Sequence, residues 1–253
     1  MTKPPTADPD AILPILNVRA GDIPDRLLVV GDPARATRIS SMLEDSAEVS
    51  RNREYVMYQG AHRGQSIGVI SHGVGSPGAA ACFEELCRGG AQRLIRAGTA
   101  GGLQPDVVDG SIVIVRGAIR EDGVTSKLVP TSFPALASTE VTLALRAAAE
   151  RHGTVTVEGV VLTSDLFYPH TVLGDDLALW SRAGAVAVEM ECSALLITAA
   201  LHQVQAGAIL AVDGNPLAED TGDMSGYDPH RSIVDDAVVA MIEIALDAVA
   251  APL

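Results

Sequence analysis

Short apolar runs alternate with alanine-rich helical segments along almost the whole chain. The clearest apolar runs are residues 26–30, 93–97, 111–115, 155–162 and 207–212. Runs of this length, rich in Val, Ile and Leu, favour buried β-strands, and segments such as 34–43, 138–152 and 192–202 favour helices. Because buried strands of this kind need covering helices, the pattern predicts a single-domain α/β sandwich.

The composition fits a large core that is built almost without aromatic side chains. Hydrophobic residues make up 47% of the 253 residues, but Phe, Trp and Tyr together make up only 3%. The formal net charge of −14 argues against a nucleic-acid partner, because phosphate backbones attract basic surfaces. No apolar run reaches the roughly 18 residues that span a bilayer, so we expect no membrane partner.

The cysteines favour a reducing compartment. Cys82, Cys87 and Cys192 are odd in number and have no CxxC spacing, which is typical of buried thiols in a cytoplasmic protein. No HExxH or clustered Cys/His pattern predicts a metal site.

The first ten residues are polar and Pro-rich. We therefore predict an N-terminal leader over residues 1–20 and one domain over residues 21–253.

One predicted strand runs into a segment that combines a cation, a hydroxyl group and three glycines. Residues 96–102 read Arg-Ala-Gly-Thr-Ala-Gly-Gly. Glycine lets the backbone approach a ligand closely, and arginine offers a planar fork of donors for phosphate or carboxylate. The segment predicts an oxyanion-binding corner at the end of the strand. The alternative is an ordinary glycine-rich turn with a solvated arginine.

A second candidate anion site lies where the strand 26–30 meets a helix. Gly31 gives access to a backbone amide, and Arg35 falls in the first turn of the predicted helix. A cation there opposes the helix dipole, and a bound anion would remove the conflict. A solvated or ion-paired Arg35 is the alternative.

Acidic side chains stand at two further strand ends. Glu189 and Glu191 flank Met190 between apolar stretches, which is costly unless the carboxylates are paired or accept hydrogen bonds from the hydroxyls of a sugar. A solvated strand-to-helix junction is the alternative. Asp213 follows the run 207–212. It is either a general acid or the first residue of an Asp-Gly turn.

Taken together, these motifs resemble the nucleoside phosphorylase family, which includes uridine phosphorylase and the hexameric bacterial purine nucleoside phosphorylases. The matching pieces are residues 31–35, 53–54, 72–77, 96–101, 164–168 and 188–191. The run 122–134 looks most like the uridine phosphorylase branch. The resemblance implies a three-layer α/β/α sandwich with a central mixed, partly barrel-like sheet. It also implies a homodimer that assembles into a hexamer.

The resemblance also implies roles for individual residues. The reaction it implies is phosphorolysis of a uridine-like or purine nucleoside to the free base and ribose 1-phosphate, with inorganic phosphate as co-substrate and no cofactor. The phosphate-binding residues would be Gly31, Arg35, Arg96, Thr99 and, across the dimer interface, Arg53. The ribose-binding residues would be Thr99, Glu189, Met190 and Glu191, and the base-binding residues would be Ala100, Gly101, Phe167 and Thr171. The candidate catalytic residues are Arg96 and Asp213.

The chain departs from the uridine phosphorylase branch where that branch reads the base. Thr171 and Leu173 stand at the positions of its uracil-binding Gln and Arg, and Ile15 lies near the place of an N-terminal His that contacts the ribose. Because the arginine set is retained, phosphorolysis is favoured over the hydrolysis that some relatives perform with water. A hydrolase-like relative and a non-catalytic nucleoside-binding relative are the alternatives.

Overall fold

A ten-stranded mixed β-sheet forms the centre of the protein. The structure is a computed structural model that describes residues 4–170, 172–217, 228 and 231–253. Its strands are β1 (Ile12–Leu13), β2 (Val18–Arg19), β3 (Arg26–Val30), β4 (Glu44–Asn52), β5 (Tyr55–His62), β6 (Gln65–Ser71), β7 (Arg93–Gly102), β8 (Ile112–Glu121), β9 (Ala135–Leu136), β10 (Thr156–Ser164), β11 (Ala187–Glu189) and β12 (Gln205–Gly214). Its helices are α1 (Pro33–Ser40), α2 (Ser76–Arg88), α3 (Thr125–Leu128), α4 (Thr139–Arg151), α5 (Leu177–Arg182), α6 (Cys192–His202) and α7 (Ser232–Val249).

Five of the strands close into a ring. The strand β7 pairs with β12, β12 with β8, β8 with β10 and β10 with β11, and β11 returns to pair with β7. The strands β3, β6, β5 and β4 extend from β7 in that order as an open wing. The predicted mixed, partly barrel-like sheet is therefore confirmed.

Helices cover the sheet on both faces. Successive residues of a strand point to opposite faces, so Leu94 packs in one apolar cluster with α2 and α6, and Ile95 packs in a second cluster with α1, α4 and α7. Burial of each such side chain contributes roughly 1.5–3 kcal/mol. The three predicted layers are confirmed.

The strand β7 is longer than the sequence predicts. Residues 96–102 do not leave the sheet as a loop, because Gly98 and Thr99 pair with β12 and Gly101 pairs with β11. The side chain of Arg96 lies over Gly98, where an added Cβ would stand 2.8 Å from the guanidinium carbon. Glycine at this position therefore lets the arginine lie along its own strand.

The N-terminal residues pack onto the core. The strands β1 and β2 pair with each other, and Leu13 and Leu16 are buried in the first apolar cluster. The Glu85 carboxylate accepts hydrogen bonds from the backbone amides of Ile15 and Leu16 at 2.8–3.1 Å. Residues 12–20, which the sequence analysis assigns to a leader, are therefore part of the folded domain.

Arg93 ties the end of the chain to the sheet. Its buried guanidinium donates to the carbonyl oxygens of Ala251 at 2.6 Å and Pro252 at 2.7 Å, and to Gln205 Oε1 at 2.8 and 2.9 Å. The first two acceptors lie just beyond α7, where a cation complements the helix dipole.

We expect Arg93→Met to lower the free energy of unfolding by about 2–4 kcal/mol, because it leaves buried acceptors without donors. Urea denaturation followed by circular dichroism measures the change. The control is Arg88→Met, which breaks only an exposed pair with Glu84 and should cost less than about 0.5 kcal/mol. Equal stabilities of the two variants would contradict the assignment.

Candidate active site

A cleft of about 1820 Å³ opens beside the ends of β3, β7 and β12. Eleven of the thirteen predicted site residues line it: Gly31, Arg35, Arg96, Thr99, Ala100, Gly101, Phe167, Glu189, Met190, Glu191 and Asp213. The carboxyl ends of parallel strands are where α/β sheets bind ligands. The sheet therefore brings most of the predicted residues into one site.

Two of the predicted residues are not part of this lining. Thr171 lies outside the residues that the structure describes. Arg53 is exposed in the turn between β4 and β5, where its φ is 55°. Its neighbour Glu54 lines the cleft, so Arg53 stands at the rim and not within the cleft of its own chain.

Arg96 is buried between two carboxylates and a histidine. Its Nε lies 3.2 Å from Glu189 Oε2 and its Nη2 lies 2.5 Å from Glu191 Oε2. Its Nη1 donates to His72 Nε2 at 3.2 Å. Burial alone would lower the pKa of Arg96, but the carboxylates of Glu191 and Glu189 raise it above the ordinary arginine range. The guanidinium is therefore charged at any working pH.

Glu189 is fully occupied by hydrogen bonds from the protein. Its side chain has no exposed surface, and its oxygens accept from Thr163 Oγ1 at 2.6 Å and from the backbone amides of Glu191 and Cys192 at 2.8 and 2.9 Å. These bonds join β10, β11 and the start of α6. Glu189 thus orients Arg96 from a fixed position.

Glu191 faces the cleft from the start of α6. Its Oε1 accepts from the backbone amide of Gly75 at 2.6 Å, and Gly75 adopts a φ of 93° that suits glycine. Burial raises the pKa of Glu191; the charge of Glu189 adds to this effect, and that of Arg96 opposes it. A buried carboxylate with this environment is a strong acceptor for hydroxyl groups.

Arg35 is the second cation of the site. It extends from α1 to within 3.5 Å of the Ala97 carbonyl oxygen. Burial lowers the pKa of Arg35, and the charge of Arg96 lowers it further, while Asp32 and Asp213 offset part of the effect. The half-buried guanidinium of Arg35 and the buried guanidinium of Arg96 repel each other, and both would be stabilised by an anion bound between them.

Backbone hydrogen bonds hold the two loops beside these arginines together. The amide of His72 donates to the Val30 carbonyl at 2.8 Å, and the amide of Gly73 donates to the Gly31 carbonyl at 3.0 Å. Directly after Gly31 the chain enters α1, and the side chain of Asp32 caps the first turn of this helix. Gly31 therefore lies fixed at the edge of the cleft.

The cleft also has an apolar wall and a further acidic side chain. Phe167 is 45% exposed, and its ring packs edge-on against Tyr168 at 4.9 Å. Leu162, Val188 and Trp180 continue this wall. Asp213, at the end of β12, is only 6% exposed. This arrangement suits a flat, partly apolar group that needs a proton donor.

Sequence reasoning missed several residues that hold the site residues in place through hydrogen bonds. His72 bonds Arg96 across 24 positions of sequence, and Thr163 bonds Glu189 across 26. Arg231 donates to the backbone carbonyl of Asp213 at 3.0 Å and pairs with Asp109. His72 begins the segment 72–77, one of those that carry the family resemblance, but no local pattern indicates that it faces Arg96.

The described part of the chain carries little that would suit a metal or a bilayer. Among its residues, no group of three or more His, Cys, Asp or Glu is arranged to hold a metal ion. Within the same residues, no helix is long and apolar enough to cross a membrane. Cys82, Cys87 and Cys192 are buried and form no disulfide.

Sequence comparisons match almost the whole chain to known enzymes. Residues 25–250 match the family model described as the Phosphorylase superfamily. The purine nucleoside phosphorylase of Plasmodium falciparum is 38% identical over 242 residues, which is 95% of this chain and 97% of that protein. The uridine phosphorylase of Treponema pallidum is 37% identical over 229 residues, which is 86% of this chain and 89% of that protein.

A solved structure has the same fold. The crystal structure of purine nucleoside phosphorylase from Toxoplasma gondii in complex with immucillin-H matches with a TM-score of 0.90 and 35% identity, over 94% of this chain and 95% of that chain. The predicted resemblance to nucleoside phosphorylases is therefore confirmed in both sequence and fold. The chain, in which the buried Arg96 of β7 pairs with Glu189 and Glu191, belongs to the phosphorylase superfamily.

Proposed function

We propose that the chain cleaves purine nucleosides with inorganic phosphate, giving the free base and ribose 1-phosphate. The observation that carries the proposal is the placement of two guanidinium groups, those of the half-buried Arg35 and the buried Arg96, beside the buried carboxylate of Glu191 in one cleft. The two guanidinium groups suit phosphate, and the carboxylate suits the ribose hydroxyls. Relatives named purine nucleoside, uridine and guanosine phosphorylase support the same reaction.

Phosphate is assigned to the end of the cleft beside α1. Arg35 and Arg96 supply charge, the Thr99 hydroxyl group supplies a further donor, and Gly31 supplies close approach of the backbone. All four residues line the cleft. Donors held in place before the substrate arrives need no reorganisation during the reaction.

Ribose is assigned to the segment between β11 and α6, with Thr99 at the phosphate side. Glu191 accepts hydrogen bonds from the ribose hydroxyls, and Met190 packs against the sugar. Glu189 supports the ribose site indirectly, because its oxygens already bond Thr163, the amide of Cys192 and Arg96. The phosphate site and the ribose site therefore adjoin each other, since Arg96 contacts Glu191 directly.

The reaction exchanges one bond at the anomeric carbon for another. A phosphate oxygen forms a bond to this carbon as the bond to the base nitrogen breaks, and the base keeps the electron pair. Positive charge develops on the ribose and is stabilised by the negative phosphate that the arginines hold. Asp213 gives a proton to the departing purine, a step worth about 10²–10⁴-fold in rate.

The base lies against the apolar wall, over Ala100 and Gly101 and beside Phe167. Thr171 is assigned there as well, on sequence alone. Purines are the proposed class because Asp213, the candidate acid, lines the same cleft. Uridine is the second candidate, because a uridine phosphorylase is 37% identical. However, Leu173 occupies the place where the uridine phosphorylase branch has its uracil-binding arginine.

The functional unit is a homodimer in which Arg53 completes the partner's phosphate site, and these dimers assemble into a hexamer. The support is the position of Arg53, exposed at the rim while Glu54 beside it lines the cleft. The cytoplasm is the assigned compartment, because the three cysteines form no disulfide. The proposal assigns no cofactor, since phosphate, nucleoside and the proton of Asp213 supply every reacting atom.

The first test is a panel of inosine, guanosine and uridine, each with and without phosphate. We expect base release and ribose 1-phosphate only when phosphate is present, with purine nucleosides preferred by at least about tenfold in kcat/KM. Chromatography of the products measures both. Base release that does not depend on phosphate would indicate a hydrolase, and no release at all would indicate a binding protein.

The second test removes the guanidinium group of Arg35. We expect Arg35→Met to raise the KM for phosphate by at least about tenfold, the usual result of losing a charged hydrogen bond. Arg38→Met is the matched control, because Arg38 lies on the same helix but pairs with Asp235 at the surface. An unchanged phosphate KM in Arg35→Met would remove Arg35 from the phosphate site.

The third test separates proton donation from binding. Asp213→Asn keeps the shape of the side chain but loses the acid, so kcat for inosine should fall by about 100-fold or more. N7-methylinosine carries a leaving base that needs no proton at N7, and its kcat should fall less than about tenfold. Steady-state kinetics with both substrates gives the comparison. Equal losses would contradict the role of Asp213 as an acid.

A further inference from the structure

His72 lies between the site and the core and contacts Arg96. The residue is fully buried at the end of β6. Its ring meets the Phe83 ring of α2 edge-on, with centroids 5.2 Å apart and planes at 71°. Both ring nitrogens have partners: Nδ1 lies 2.9 Å from the Gly73 carbonyl oxygen, and Nε2 lies 3.2 Å from Arg96 Nη1. The ring is therefore held on three sides.

These partners determine where the ring carries its proton. A carbonyl oxygen can only accept, so Nδ1 carries a hydrogen and donates it to Gly73. A guanidinium can only donate, so Nε2 is unprotonated and accepts from Arg96. Burial, with the charges of Arg96 and Arg35, holds the pKa of His72 well below its usual value. His72 is thus a neutral acceptor at working pH.

A count of donors shows what this acceptor does for Arg96. A guanidinium has five N–H groups. Within the described residues, Nε donates to Glu189 and Nη1 donates to His72, while Nη2 forms an ion pair with Glu191 Oε2 at 2.5 Å. At least one N–H on each Nη remains beyond these contacts. N–H groups on neighbouring nitrogens of a guanidinium can bind phosphate in a bidentate manner.

We propose that His72 is a positioning residue, which holds Nη1 of Arg96 so that its remaining donors face the phosphate. The inference rests on the proposed function of Arg96. The two glutamates fix only Nε and Nη2, so without His72 the guanidinium can pivot about that pair of contacts. The ring also borders the other side of the phosphate site, because an added Cβ at Gly31 would lie 4.0 Å from His72 Cε1.

Two variants of His72 separate its acceptor from its volume. Gln carries a side-chain oxygen to about the position of Nε2, whereas Asn reaches only as far as Nδ1 and keeps the bond to Gly73. We expect His72→Asn to raise the phosphate KM by about tenfold, the usual result of losing a hydrogen bond to a charged group. We expect His72→Gln to stay within about threefold of the wild type. The nucleoside KM should change less than the phosphate KM in both variants.

His202→Asn is the control for the loss of a buried histidine. His202 is also buried, and its Nε2 bonds Glu84 at 2.8 Å, away from the cleft. We expect this variant to lose stability, measured as Tm, without a change in phosphate KM. A phosphate KM that is unchanged in a folded His72→Asn variant would overturn the proposal. Equal losses in His72→Gln and His72→Asn would also overturn it.

A spectroscopic test does not depend on turnover. Long-range ¹H–¹⁵N spectra of histidine-labelled protein, with the His72 signal identified by its loss in His72→Gln, should show the neutral Nδ1–H form. The Nε2–H form or a charged ring would overturn the proposal. Failure of the proposed function is seen separately, because the wild type would then release base without phosphate, and this proposal would fall with it.

Discussion

The buried ion pairs of Arg96 with Glu189 and Glu191 are the interaction on which the site depends. Two carboxylates and a guanidinium out of contact with water would be costly if any one of them lacked its partners. Here the remaining acceptor sites are filled by Thr163, by backbone amides and by Gly75. The network is thus satisfied by the protein, apart from the donors that face the cleft. This is the condition under which a buried charge can be held ready for a ligand.

The ring of strands gives this network its rigidity. Arg96 belongs to β7, which pairs with β3, β12 and β11, and Glu189 belongs to β11. The two partners of the ion pair therefore stand on adjacent strands that are hydrogen-bonded at their ends. Arg35 comes from α1, which follows the next strand of the wing. Cations and carboxylates from segments 60 or more residues apart are thus fixed by one continuous sheet.

The sequence was sufficient where a feature is local. The strand β3 and the helix α6 begin and end at the predicted residues, because their apolar patterns are complete within the segment. Site residues at strand ends were predicted for the same reason. The strand β4 was missed, because only Ser50 of its nine residues is buried and its pairing with β5 depends on the rest of the wing. The bond between His72 and Arg96 was missed because it joins the loop after β6 to the strand β7, which meet only after the sheet has formed.

Closure of the ring also decides where the sheet is vulnerable to association with other chains. Pairing of β11 with β7 removes the edge that β11 would otherwise present, and β4 is left at the end of the wing. An exposed edge strand is a template for aggregation, and charge along the edge is a common defence. The residues Glu44, Asp45 and Glu48 of β4 are exposed and acidic. The acidic character that hid this strand from pattern analysis therefore protects the folded enzyme from edge-to-edge polymerisation.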